Sequence, residues 1–269
     1  ILIILPFLFS CSASRNYNPN KKYSKQQLQQ DYTLLRNILE KKHPSLYWYT
    51  PKDSMDFYFN AGYKAIQDSM TELQFGWKII APLTSVIHCG HTSFNMSKRW
   101  NHFIKNKVIP SFPLYLKTWK DTMMVVGNLN LKNRLIKNGS FISSINGINN
   151  QEMINYMFHF LVEDGYSQNI NYIRLSADFP YYHRNIFGLY KSYQVDYTDS
   201  SGNSKNSVIP YFDPGADTLQ AKKILKKRNE VKYTRQEKLA RIRSGQFDSS
   251  FALMTVKGFS KGHLKKFFR

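Results

Sequence analysis

The sequence predicts an α+β fold, with helices first and antiparallel strands after them. Three observations carry this. Over residues 24–88 the apolar residues recur at helical spacing behind two capping boxes. From about residue 108 the apolar period changes to two. The period-two runs are separated by the turn signals Lys120-Asp121, Asn146-Gly147 and Asp199–Ser204.

Residues 1–11, "ILIILPFLFSC", are apolar and end in Ser10-Cys11. The run is too short for a bilayer, which takes about 20 apolar residues, and has the length of a signal-peptide core. It resembles a bacterial lipobox, in which the cysteine carries a diacylglyceryl anchor. Cys11 is therefore the expected lipidation site and the chain an expected extracytoplasmic, membrane-anchored protein. Residues 12–23, polar and rich in Asn and Ser, suit a tether. With Cys11 lipidated, Cys89 is left with no disulfide partner and should be buried.

The helical region spans 24–104. Ser24 and Gln27 form one capping box; Leu28, Tyr32, Leu35 and Leu39 make its stripe, and His43-Pro44 stops it. Thr50-Pro51 predicts a second start, with Thr50 as cap and Pro51 as first helical residue. Phe59, Tyr63, Ile66 and Met70 form the second stripe. Thr71 and Gln74 form another capping box ahead of Leu73, Trp77, Ile80, Thr84 and Ile87, with a kink expected at Pro82 and a C-cap at Gly90.

The sheet region spans 105–212. "PLYLKTWKDTMMVVGNL" reads as a hairpin, a strand opens at Gly139, a helix starts near Asn150, and "YQVDYTDSSGNSKNSVIPYF" is a further hairpin. Residues 213–247 read as a basic linker or helix, with ten basic and two acidic residues between Lys222 and Arg243. Residues 248–269 read as a strand followed by a helix, the start of a further domain, so the chain is expected to be a piece of a longer protein.

The net charge is +20, from 38 Lys+Arg against 18 Asp+Glu. Nucleic acid is the reflex partner, but no nucleic-acid-binding motif accompanies the charge, and none is expected as a partner. An anionic membrane or acidic partner fits the charge as well. No Gly-rich phosphate loop is present: "IKNGSF" lacks the glycines and the Lys-Ser/Thr ending. No cofactor is expected.

The chemistry-bearing motif is "VIHCGHTSF", Val86–Phe94. Metal binding by His88, Cys89 and His91 is one reading, but adjacent side chains diverge and no further ligand cluster is evident. A Cys89–His91 nucleophile pair is a second. A structural reading is the third: Cys89 fills a small buried space, His91 bonds a helix-end carbonyl, and Thr92 and Ser93 begin a strand. The fourth makes a histidine the general base for a nucleophile elsewhere, since a neutral imidazole accepts a proton near pH 7. Residue chemistry alone favours the structural reading. His43, His102, His159, His183 and His263 read as structural or exposed.

The order of parts resembles a known family. "LLRNILEKKHPSLYWYTPKDSMDFYF" precedes "LTSVIHCGHTSF"; then come "NGSFISSINGINNQEMINYM" and "SSFALMTVKGFS". This order is similar to serine peptidase family forty-one, the C-terminal-processing (tail-specific) peptidases with the related tricorn-core domains, in its Bacteroidetes-type lipoprotein members. The resemblance implies a helical N-terminal domain, a PDZ-like domain and the first strand and helix of an α/β peptidase core. It implies a protein or peptide substrate hydrolysed through an acyl-serine. In tricorn-like members the histidine of the G-H-T step is the general base, which carries over to His91 alone. No Ser within 1–269 matches the nucleophile motif, so the chain by itself is expected to be inactive. The alternative is a non-catalytic, peptide- or ligand-binding lipoprotein of the same architecture.

Overall fold

The computed structural model describes residues 17–131, 135–230, 243–247, 250 and 252–256. Cys11, His263 and the helix expected after residue 260 lie outside them. Contacts divide the chain into two units, residues 1–221 and 222–269.

In the first unit, β1 (Lys22–Tyr23) pairs antiparallel with β2 (Met70–Thr71) and brackets two helices, α1 (Lys25–Lys42) and α2 (Lys52–Ala65). The Ser24 box forms as expected: Gln27 N–H donates to Ser24 Oγ at 3.3 Å, and Ser24 N–H to Gln27 Oε1 at 3.1 Å. Leu28, Tyr32 and Leu39 face Met55 and Phe59 in an aliphatic-rich core. The second start falls one residue later than expected. Pro51 is the cap and has no polar side chain to bond the first turn, while the Thr50 hydroxyl is spent on the Val86 carbonyl at 2.5 Å. The second stripe is likewise cut short. Ile66 is the C-cap of α2 and Met70 lies on β2, although both are buried.

The Thr71 box opens α3 (Glu72–Phe75), which continues as a π-helical turn (Gly76–Ile80) and α4 (Ala81–Ser85). Pro82 has no N–H and crowds the preceding turn, so the backbone widens just before it: Ala81 N–H reaches back to Gly76 O. Gly76 is also a contact point, since a Cβ there would sit 2.1 Å from the Phe94 ring. A further helix, α5 (Lys98–Ile104), was not marked by any stripe; Ser97 caps it through Trp100 N–H at 3.1 Å.

The expected hairpins form. β3 (Leu114–Trp119), β4 (Thr122–Asn128), β5 (Phe141–Ile145), β7 (Ser192–Thr198) and β8 (Ser204–Pro210) make an antiparallel sheet in the order β3-β4-β5-β7-β8, with β6 (Ile148–Asn149) folded back on β5. Asn146 (φ 50°) and Gly147 (φ 79°) are both left-handed, as a tight two-residue hairpin turn requires. The register of β5 on β7 skips Ser143: Ile142 faces Tyr197 and Ser144 faces Asp196. This bulge is why Ile142 and Ile145, three apart, are both buried.

Helix α6 (Asn150–Phe158) begins where expected, capped by Asn149, and lays Met153, Ile154 and Met157 on the sheet core. Helices α7 (Asn169–Ala177) and α8 (Phe179–Phe187) had no sequence expectation. Helix α7 runs against β3, where Thr118 N–H donates to Ser176 Oγ at 2.9 Å. Helix α8 adds Phe179 and His183 to an aromatic cluster with Phe112 and Tyr193. His183 stacks 4.7 Å from Phe112, and burial pulls its pKa down to about 3.

Helix α9 (Thr218–Glu230) occupies the first part of the basic stretch, with Lys222, Lys223, Lys226 and Lys227 exposed. In the second unit β9 (Arg243–Phe247) pairs antiparallel with β10 (Ala252–Val256). The expected strand is present as β10, but its partner lies in the segment read as linker. Among the described residues, no helix is long and apolar enough to cross a membrane.

Candidate functional site

Val86–Thr92 is a succession of tight turns. Helix α4 ends at Ser85 with Val86 as its cap, four residues before the expected cap at Gly90, and the left-handed residue is His88 (φ 54°). A non-glycine residue there costs about 1–2 kcal/mol, so neighbouring contacts must hold it. They do. His88 N–H donates to Ser85 O at 3.1 Å and Thr92 N–H to Cys89 O at 2.9 Å. Gly165 N–H donates to His88 O at 2.9 Å, and Gly90 N–H to Asp164 Oδ1 at 3.3 Å. The Ser85 hydroxyl lies 2.7 Å from the His159 carbonyl oxygen. No strand begins at Thr92 or Ser93.

His43 secures the far side. Ser45 N–H donates to its Nδ1 at 3.2 Å, which leaves the proton on Nε2 to be donated to Thr92 Oγ1 at 2.7 Å. Burial lowers the His43 pKa and favours this neutral form. Cys89 is half-buried and packs on the α1–α2 core. Among the described residues, no three His, Cys, Asp or Glu side chains are grouped to hold a metal.

The turn therefore presents its two histidines in opposite settings. His91 is exposed, with Gly90 and Thr92 tied on either side. Its backbone is held while its imidazole faces solvent. His88 points inward, with its ring 5.1 Å from that of Tyr166, whose hydroxyl donates to Tyr49 O at 3.0 Å. Its Nδ1 lies 3.3 Å from Glu163 Oε1, but the contact lacks hydrogen-bond alignment and the nitrogen is buried without a partner. Glu163 is 8% exposed. Its Oε2 accepts from Asn171 Nδ2 at 2.9 Å, and Asn171 Oδ1 accepts from Arg174 Nη1 at 3.1 Å. A cavity of about 530 Å³ opens over this group, lined by Tyr58, His88, Asn155, His159, Glu163 and Gln168 among others.

The structure thus brings His88, not His91, beside a buried carboxylate. His102 lies on α5, His159 caps α6 and His183 sits in the aromatic core. Sequence reasoning missed Glu163, Asn171 and Arg174. One signal was available: Glu163-Asp164-Gly165 follows the apolar pair Leu161-Val162 in a chain poor in acidic residues.

No family model and no curated protein matches this chain. Its fold is similar to solved structures of CPAF, a chlamydial serine protease. Mature CPAF complexed with lactacystin gives a TM-score of 0.49 at 9% identity, a CPAF point mutant 0.46 at 11%, and mature CPAF 0.44 at 10%. Each match covers 70% of this chain and 34–35% of the other, so the chain spans about a third of the length of these proteins.

Proposed function

We propose that this chain serves a serine-type peptidase, as the helical and peptide-presenting part that also supplies one general base, His91. The observation that carries the reading is an exposed imidazole on a backbone pinned from both sides, at the G-H-T step of the motif. Amide hydrolysis needs an activated hydroxyl and oxyanion stabilisation. In this reading His91 takes the proton of a serine hydroxyl as it attacks the scissile carbonyl. It then returns the proton to the leaving amine. The nucleophile is not among the described residues, and the sheet of β3–β8 acts as a PDZ-like module that holds extended peptide by strand addition. Cys11 carries the lipid anchor, which places the protein outside the cytoplasm on a bacterial membrane.

The test has two arms. Residues 1–269 treated with a serine-reactive fluorophosphonate should remain unlabelled; labelling would place the nucleophile inside them. In the intact gene product, His91→Ala should lower peptide hydrolysis about a hundredfold or more with folding unchanged. Unchanged hydrolysis would remove His91 from the mechanism. The second reading is the non-catalytic ligand-binding lipoprotein, which the open cavity at His88 and Glu163 favours. It predicts no hydrolysis by the intact gene product at all.

A further inference from the structure

We propose that a second cavity, on the other side of Leu161, binds a small carboxylate carried on an apolar body about one amino-acid residue in size. The cavity measures about 250 Å³. Its polar lining includes Trp77, Ser93, Asn95, Arg174, Tyr181 and Tyr182, and its walls are completed by Phe94, Phe160 and Val162.

The polar groups offer donors. Arg174 spends Nη1 on Asn171, which is fully buried and itself held by Glu163, so the guanidinium is fixed in orientation. The Trp77 indole N–H is buried without a partner, so Trp77 serves the cavity through its ring as an apolar wall. Asn95 Nδ2 donates to Ser93 Oγ at 3.3 Å, which leaves the serine proton free to be donated elsewhere. Burial raises the Tyr181 pKa to about 12 and raises that of Tyr182, so both phenols keep their protons. No Asp or Glu lines the cavity. Asp178 Oδ1 accepts from Tyr181 N–H at the start of α8, and Glu163 directs Oε2 to Asn171 Nδ2 and Oε1 toward His88.

A single fixed guanidinium with neutral donors matches one negative charge. The edge-on rings of Trp77, Phe94, Tyr181 and Tyr182 supply apolar walls that a bare inorganic anion would not use. These observations stand independently of the peptidase reading.

The experiment is calorimetric titration of residues 1–269 with N-acetyl-L-phenylalanine, its amide, and inorganic phosphate. The acid should bind saturably, the amide about tenfold more weakly or worse, and phosphate should not displace the acid. Arg174→Gln should weaken acid binding about tenfold or more, with the fold retained by circular dichroism. A hexapeptide ending in free phenylalanine separates the two sources: binding as tight as the acid assigns the site to a chain terminus, and exclusion assigns it to a free acid. The proposal is overturned if the acid does not bind, if acid and amide bind alike, if phosphate displaces the acid, or if Arg174→Gln binds as the parent does. Should Arg174→Gln fail to fold, Tyr182→Phe takes its place; severalfold weaker acid binding is expected, and parental affinity overturns the proposal.

Discussion

The turn at 86–92 and the aromatic cluster around His183 both fix a histidine, by opposite means: His88 is half-buried and His183 fully buried. The turn is held by polar bonds, from Thr50, Gly165, Asp164 and His43, and its inward histidine faces a carboxylate. The cluster is held by ring packing, and His183 is surrounded by Phe112, Phe179, Phe187 and Tyr193. Packing gives stability with no chemistry, because a buried imidazole without a partner is kept neutral. Polar tethering leaves groups that can still exchange protons or bind, at the cost of a strained residue and an unpartnered nitrogen.

The largest test is on the packed side. Phe112→Ala should cost about 3–5 kcal/mol in urea unfolding, since it opens a void among fully buried rings. A loss below about 1 kcal/mol would mean the cluster collapses freely and the contrast is weaker than drawn. On the tethered side, Asn171→Leu should cost about 1–3 kcal/mol by stranding Glu163 and loosening Arg174. Equal stability would show that water replaces the amide.

The third test is pH. The folded His183 titrates near 3 against an ordinary value near 6.5, so below the ordinary value the unfolded chain binds a proton that the folded chain refuses. The stabilisation is therefore complete above about pH 6.5 and is lost as pH falls toward about 3, by up to about 1.4 kcal/mol per unit. His183→Phe should flatten that part of the profile relative to the parent; an unchanged slope would assign it to other groups. The smallest effect is expected from His91→Ala, within about 0.5 kcal/mol, because its ring is exposed. A larger loss would make the imidazole part of the tether.

Local signals were the legible ones. The Ser24 and Thr71 capping boxes, the Asn146-Gly147 turn and the two hairpins depend on residues within a few positions of one another, and each stands where the sequence puts it. The helix end was misread because glycine is the usual left-handed residue, whereas here Gly165 bonds the His88 carbonyl, and Thr50 the Val86 carbonyl, from across the fold. Helices α7 and α8 escaped because their buried residues are chosen by β3 and by Phe112, far away in sequence. The pairing of His88 with Glu163, and of Glu163 with Asn171 and Arg174, is long-range in the same way. The motif is local, but which of its histidines meets a carboxylate is decided by the loop after α6.

Ser143 has a consequence of a different kind. As the surplus residue of a bulge, it shifts the phase of every side chain after it on β5. An alignment that runs through this strand without opening a one-residue gap would place Ile145 opposite a relative's solvent position. A relative lacking the bulge would then look unrelated just where the two chains share a core. Comparisons anchored on Ile142 and on Ile145 separately would recover what a continuous one loses.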